Sequence, residues 1–262
     1  EGSLEVKGEP TTIAEGVTYD QSTSRGMFTV SSNEILVYQT GAAQVGSRLV
    51  MHDRAGKPTG VASGLLEYTN PRLSPDDNHV SANVFDFQSH NGDIQIVDLA
   101  QHRNTRFTFN AALESFSAWS PDGNSLIFDS NREGPFNLYQ KPTRSNGEET
   151  LLLRSSHNKS PCDWSRDGKF LLYQEYAVQR IQSDLWVLPL SGKQEPVLFL
   201  KSEFNEWGGS FSPDVRWVAY VSDESGQNEV YIRSFQAPTA QLVASKGSIS
   251  GEQKQVSISG GD

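Results

Sequence analysis

The chain has 262 residues and a net charge of −10, with apolar residues at 35%, 22 Gly and 12 Pro. No run of about 18 apolar residues occurs, so no membrane-spanning helix is expected, and the acidic balance lacks the basic footprint of a nucleic-acid binder. The single Cys162 excludes an intrachain disulfide and a cysteine-built zinc site.

Residues 1–30 show neither an initiator Met nor a basic start followed by an apolar run, so no signal peptide is expected and the chain reads as a piece of something longer. The first element, Glu9-Pro-Thr-Thr-Ile-Ala14, reads as an outer strand with no partners before it. A short β-rich run follows at Phe28-Thr-Val-Ser-Ser-Asn-Glu-Ile-Leu-Val-Tyr38, and its pattern then recurs. The copies are Arg72-Leu-Ser-Pro-Asp-Asp77, Ala118-Trp-Ser-Pro-Asp-Gly123, Asp163-Trp-Ser-Arg-Asp-Gly168 and Ser210-Phe-Ser-Pro-Asp-Val215. The aligned serines, Ser74, Ser120, Ser165 and Ser212, lie 46, 45 and 47 residues apart, and Ser31 of the degraded copy stands 43 before the first. A fixed period of this length is the signature of a repeat architecture.

Each unit predicts four strands. An apolar or aromatic residue precedes the turn, where Pro presets φ, Asp bonds nearby backbone N–H groups and Gly permits the exit. A second strand follows at once. A third begins at Asp93, Asn137, Asp184 and Glu229, and a fourth, more polar, covers Thr105–Thr108, Glu149–Leu153, Pro196–Leu200 and Lys254–Ile258. Four antiparallel strands in 40–50 residues make a β-propeller blade; a β-sandwich, the plainer all-β alternative, would not require the recurring turn. The expectation is one propeller domain over 1–262: an orphan outer strand at 1–16, a degenerate blade at 17–65, then blades at 66–110, 111–156, 157–202 and 203–262. The orphan strand predicts a parent ring of six blades, of which this chain lacks most of the sixth.

The Ser-Pro-Asp-Gly turn and the Asn/Asp-Leu-Tyr or Asp-Leu-Trp third strand resemble the TolB-like propeller repeat. They do not resemble WD repeats, since no unit pairs Gly-His with Trp-Asp. Longer strings, Asn131-Arg-Glu-Gly-Pro-Phe-Asn-Leu-Tyr-Gln-Lys-Pro142, Asp184-Leu-Trp-Val-Leu-Pro-Leu190 and Trp217-Val-Ala-Tyr-Val-Ser-Asp-Glu224, resemble the C-terminal propeller of bacterial eukaryotic-like serine/threonine kinases. That resemblance implies a non-enzymatic sensor or protein-interaction module outside the cytoplasm, attached to a membrane-anchored kinase. It departs from the repeat at Asp77 and Val215, which replace the turn Gly, and at Arg166, which replaces Pro.

Motifs for catalysis are missing from the sequence. No kinase loop, His-Arg-Asp or Asp-Phe-Gly occurs, and no His-Glu-x-x-His. The nearest string to a nucleophile elbow, Gly208-Gly-Ser-Phe-Ser212, lacks its last glycine. Asp76, Asp122, Asp167 and Asp214 recur in every turn and read as turn residues, not as catalytic acids. The chain is therefore expected to have no catalytic residue, no metal site and no cofactor. Positions that differ between units are the informative ones. Six and seven residues before the aligned serine stand Tyr68, Glu114, Lys159 and Glu206, and Glu67, Leu113, Asn158 and Asn205. The polar members (Glu67, Tyr68, Glu114, Asn158, Lys159, Asn205 and Glu206) are expected to ring the channel mouth, to take a protein, a peptide or a small polar ligand. No nucleic-acid partner and no direct membrane insertion are expected. Two alternatives stay open at this point: an accessory gating propeller of a prolyl-oligopeptidase-like peptidase, and a metal-dependent hydrolase or lyase acting at the channel mouth.

Overall fold

The computed structural model describes residues 13, 17, 19–20, 25–26, 28–30, 35–40, 46–86, 89–144, 147–177, 182–239, 241–242, 247–258 and 260. A two-stranded hairpin, β1 (Tyr19–Asp20) and β2 (Arg25–Gly26), precedes five four-stranded antiparallel sheets. Blade 1 holds β3 (Phe28–Val30), β4 (Leu36–Thr40), β5 (Arg48–His52) and β6 (Pro58–Val61), and blade 2 holds β7 (Tyr68–Leu73), β8 (His79–Asp86), β9 (Asn91–Asp98) and β10 (Arg103–Arg106). Blade 3 holds β11 (Ser117–Trp119), β12 (Ser125–Ser130), β13 (Asn137–Pro142) and β14 (Thr150–Leu153). Blade 4 holds β15 (Asn158–Trp164), β16 (Phe170–Tyr176), β17 (Ser183–Pro189) and β18 (Val197–Leu200). Blade 5 holds β19 (Glu206–Phe211), β20 (Trp217–Ser222), β21 (Glu229–Ser234) and β22 (Gln253–Gln255). Within each sheet the strands pair in chain order, so the fold is a five-blade all-β propeller. The proposed orphan strand, Glu9–Ala14, lies outside the described residues apart from an exposed Ile13. Ser31 lies outside them too.

The middle strands are apolar on both faces because each blade packs against two neighbours. Val37 and Leu49 of blade 1 meet Tyr68, Val80 and Val97 of blade 2. Ile94 and Phe107 meet Leu126, Phe128 and Tyr139 across the next junction. Ala118, Ile127 and Leu138 then meet Leu171, Tyr173 and Leu188, and Leu172, Leu185 and Phe199 meet Val218, Tyr220 and Tyr231. Each such side chain, fully buried, is worth about 1.5–3 kcal/mol, so these four junctions carry the fold. Among the described residues no comparable apolar cluster joins blade 5 to blade 1. The outer strands β10 and β22 are largely exposed, as polar edges should be.

Every Ser-x-Asp turn is built in one way. The serine hydroxyl donates to the aspartate two residues on, at 2.6 Å for Ser74, Ser120 and Ser212 and 2.7 Å for Ser165. It accepts in turn from the N–H of His79, Ser125, Phe170 or Trp217, opening the second strand. The aspartate accepts from the N–H of Asn78, Asn124, Lys169 or Arg216. Bonds from Ser212 and Arg216 hold Asp214 at about 2, and at Asp76 partial burial pushes upward but the Ser74 and Asn78 bonds win, again giving about 2. The acids are turn residues. The next position needs positive φ, 68° at Gly123 and 76° at Gly168, and Asp77 and Val215 are held there at 58°. For a β-branched valine this conformation is strained.

Two outer strands stop earlier than the sequence pattern suggests. β10 ends at Arg106, not at Thr108, because Phe107 and Thr108 both donate to Ile94 O (2.8 and 3.2 Å), which bulges the chain. Val256 and Ser257 share Val230 O in the same way, ending β22 at Gln255.

Candidate functional site: the central channel

The seven residues expected at a channel mouth lie at the entries to the inner strands, and the side chains of Asn158 and Asn205 bond to the preceding blade. Tyr68 is fully buried, and its hydroxyl accepts from Asn104. Glu114 is fully buried against Ser130 (2.8 Å) and Arg132 (3.1 Å). Arg132 also pairs with Glu149 at 2.6 Å and stacks 4.2 Å over the Tyr139 ring. Lys159, also buried, donates to Ser155 Oγ and to His157 O, with Glu175 at 3.6 Å. Glu206 is buried and accepts from Ser202. Asn158 and Asn205 each accept from an N–H at the start of a third-strand region, Phe136 and Ser183, at 2.9 Å. Glu67 is half-buried, and its carbonyl accepts from Phe85. Apart from chain neighbours, the described hydrogen bonds join none of the seven side chains to one another.

Burial dominates the electrostatics of this end. It pushes Glu114 up to about 7 against the pull of Ser130 and Arg132. Glu206 also rises to about 7, through burial and the neighbouring Asp184, Asp223 and Glu224. Among the described residues both leave Oε2 buried without a hydrogen-bond partner, the condition that makes ionisation costly. Burial lowers Lys159, with Glu175 opposing.

At the other end the five inner strands enclose a cavity of about 810 Å³. Two residues before each aligned serine stand Thr29, Arg72, Ala118, Asp163 and Ser210, and all five line it. The residues immediately before the serines, Val30, Leu73, Trp119, Trp164 and Phe211, form its apolar wall. Local structure aims this ring. The inner strand bulges between Thr69 and Arg72, between Pro161 and Asp163, and between Trp207 and Ser210. A bulge bends its strand and re-aims the next side chain. β11 pairs without a bulge, and its residue there is the small Ala118. Positive φ at Asn70 (51°) and Gly208 (67°) serves two of the bulges, and at Gly209 a Cβ would come within 2.5 Å of Leu172.

Two of the ring's side chains also staple blades. Thr29 Oγ1 accepts from Leu73 N–H at 3.2 Å, and Asp163 Oδ2 accepts from Phe211 N–H at 2.8 Å, with Ser210 Oγ at 3.3 Å. Burial raises Asp163 to about 6, opposed by the Phe211 bond and by Arg72. The indole donors are engaged as well, Trp119 Nε1 to Arg72 O (3.0 Å) and Trp164 Nε1 to Gly168 O (3.2 Å), leaving ring faces as walls. Asp77 and Arg166 stand at the opening. Arg166 occupies the position where the other units place Pro75, Pro121 and Pro213, and all four line the cavity. The sequence signal for this site was the divergence at the second position before the serine, together with the lone Arg in place of Pro. Chemically, the cavity offers cation, carboxylate and aromatic surface. Among the described residues no group of three or more His, Cys, Asp or Glu side chains could hold a metal ion.

The comparisons with known proteins agree with this architecture. The structure resembles a putative TolB from Agrobacterium tumefaciens, with a TM-score of 0.68 at 19% identity over 87% of this chain and 79% of that one. It resembles TolB from Acinetobacter baumannii with the same TM-score and identity, over 79% of this chain and 51% of that one. Prolyl oligopeptidase B from Galerina marginata follows at a TM-score of 0.55 and 11% identity, over 80% of this chain and 34% of that one. At these identities the likeness is one of fold. No curated protein matches the sequence. The family model for the TolB beta propeller domain matches residues 36–182, more than half of the sequence, and the chain belongs to that family, PD40.

Proposed function

We propose that the chain is a non-enzymatic interaction propeller that works outside the cytoplasm, as the partner-sensing part of a membrane-anchored bacterial serine/threonine kinase. The channel carries this reading. Its walls are aromatic, its five inward residues differ from blade to blade, and bulges aim three of them at the axis. Such a cavity, apolar with a few placed polar groups, suits recognition. Ser210 Oγ has Asp163 beside it but no histidine among its described contacts, so the nearest string to a nucleophile elbow lacks a base. The kinase attachment rests on the sequence strings at 131–142, 184–190 and 217–224. In the same reading the half-exposed Glu67, Asn158 and Asn205 border the opposite opening, over Tyr68, Glu114, Lys159 and Glu206.

The test is selection of displayed peptides on the protein, followed by binding of the selected peptides to Ser210→Trp. Ser210 is exposed to the channel, so the indole fills space without removing core packing. The expected result is at least a tenfold loss of binding with an unchanged melting temperature. Peptides that bind the blocked variant as well as the parent would overturn the reading.

A further inference from the structure

The two arginines of the channel are the least engaged charges in its wall. Arg72 has one long contact, Nη1 to Pro71 O at 3.5 Å, and Arg166 has no hydrogen bond or ion pair among the described residues. Among those residues no carboxylate lies within ion-pair distance of either. Arg106, Arg132, Arg154 and Arg216, by contrast, each pair with an acid. A guanidinium has five N–H donors in a planar fork, so donor capacity is left over here.

The acids of the same wall do not balance that capacity. Asp163 already accepts from Phe211 N–H and Ser210 Oγ. Asp77 sits in the turn and is also engaged. What remains open is rich in guanidinium donors and flanked by Trp119 and Trp164, whose own N–H groups face the protein. A fork of donors fits a planar carboxylate bidentately, and indole faces fit an apolar side chain.

We propose that this end of the channel binds the C-terminal carboxylate of a partner polypeptide, gripped by Arg72 and Arg166, with the last side chain packed between Trp119 and Trp164. The proposal rests on the reading of the channel as the recognition site and specifies which part of the partner enters it. An inorganic phosphate would share the charge but leave the aromatic walls without contact.

The experiment uses fluorescein-labelled hexapeptides ending in each of the twenty residues, as free acids and as C-terminal amides, with binding read by anisotropy. Free acids ending in aromatic or large aliphatic residues should bind at least tenfold tighter than their amides. Arg72→Gln and Arg166→Gln should each remove most of that difference, and phosphate at equal concentration should not displace the peptide. Equal binding of acid and amide overturns the proposal, and this comparison uses the unaltered protein, so no folding defect can obscure it. Displacement by phosphate, or no saturable binding by any peptide, overturns it too. If acid and amide bind alike but Ser210→Trp abolishes both, the channel remains the recognition site and only the carboxylate assignment fails.

Discussion

The two ends of the inner strands hold their charged side chains differently. At the entry end, Glu114, Lys159 and Glu206 are buried, and each is bonded to a hydroxyl of its own neighbourhood: Ser130, Ser155 and Ser202. At the exit end, Arg72 and Arg166 face open volume with their donors largely unengaged. Charge at the entry end is buried and bonded within its own blade or the linker beside it, whereas at the exit end Asp163 bridges to Phe211 of the next blade and Arg72 and Arg166 line the open cavity. Sequence divergence between repeats marks both ends equally. Burial and hydrogen bonding separate them.

The largest expected effect of breaking this contrast is at Arg132. Its guanidinium bridges Glu114 and Glu149, at 3.1 and 2.6 Å. Removing it in Arg132→Ala takes the cation from Glu114 and Glu149, and above about pH 7, where Glu114 is ionised, this should cost about 3–5 kcal/mol by denaturant unfolding, because one half of a buried pair is left uncompensated. A cost below about 1 kcal/mol would show that the entry end does not depend on its charges.

The pH dependence follows from the same burial. Glu114 and Glu206 are raised from 4.5 to about 7 in the folded state. The folded protein therefore holds these protons more tightly than the unfolded chain, and stability is present below pH 4.5 and lost as pH rises to about 7. The loss is of order 3 kcal/mol per group as an upper figure, from about 1.4 kcal/mol per pKa unit. The turn acids act in the other direction. Asp76 and Asp214, lowered from 3.8 to about 2, contribute stability that is lost as pH falls through that window. Stability should peak near pH 4–5, between the two windows. Chemical denaturation from about pH 4 to 8 should show the fall on the alkaline side, and Glu114→Gln with Glu206→Gln should flatten it. An unchanged slope in the double variant would place the titration elsewhere.

Much of the fold could be read from the chain because the turn enforces its own residues. A serine, an aspartate and a residue at positive φ must recur for the first hairpin to close, so Ser120, Asp122 and Gly123 mark their blade as clearly in sequence as in structure. The site was less legible. Tyr68, Glu114, Lys159 and Glu206 vary as binding residues would, but sequence does not reveal that each is buried. In sequence Arg166 is only a departure from proline, and the turn closes normally around it, with Gly168 N–H donating to Ser165 O at 2.8 Å. The loss of proline there instead places a guanidinium at the channel opening. The bulges that aim Arg72, Asp163 and Ser210 were hidden for another reason. Asn70-Pro71, Cys162 and Gly208-Gly209 share no sequence pattern, although each breaks the ladder at the same depth.

The smallest expected effect belongs to the exit end, and it sharpens the contrast most directly. Arg72→Gln and Arg166→Gln remove two cations that no acid pairs with among the described residues. The Arg72 carbonyl that accepts from Trp119 belongs to the backbone and survives the change. Gln keeps part of the aliphatic stem that lies along the wall. Surface substitutions away from caps, cores and ion networks fall within about 0.5 kcal/mol, and that is the change expected for each variant in denaturant unfolding. One coupling is expected to persist: Arg72 lowers the pKa of Asp163, so Arg72→Gln should raise that group above about 6, measurable by carboxyl NMR titration. A loss of about 2 kcal/mol or more in either variant would mean that the arginines serve the fold, as Arg132 does, and the two ends would then no longer differ in kind.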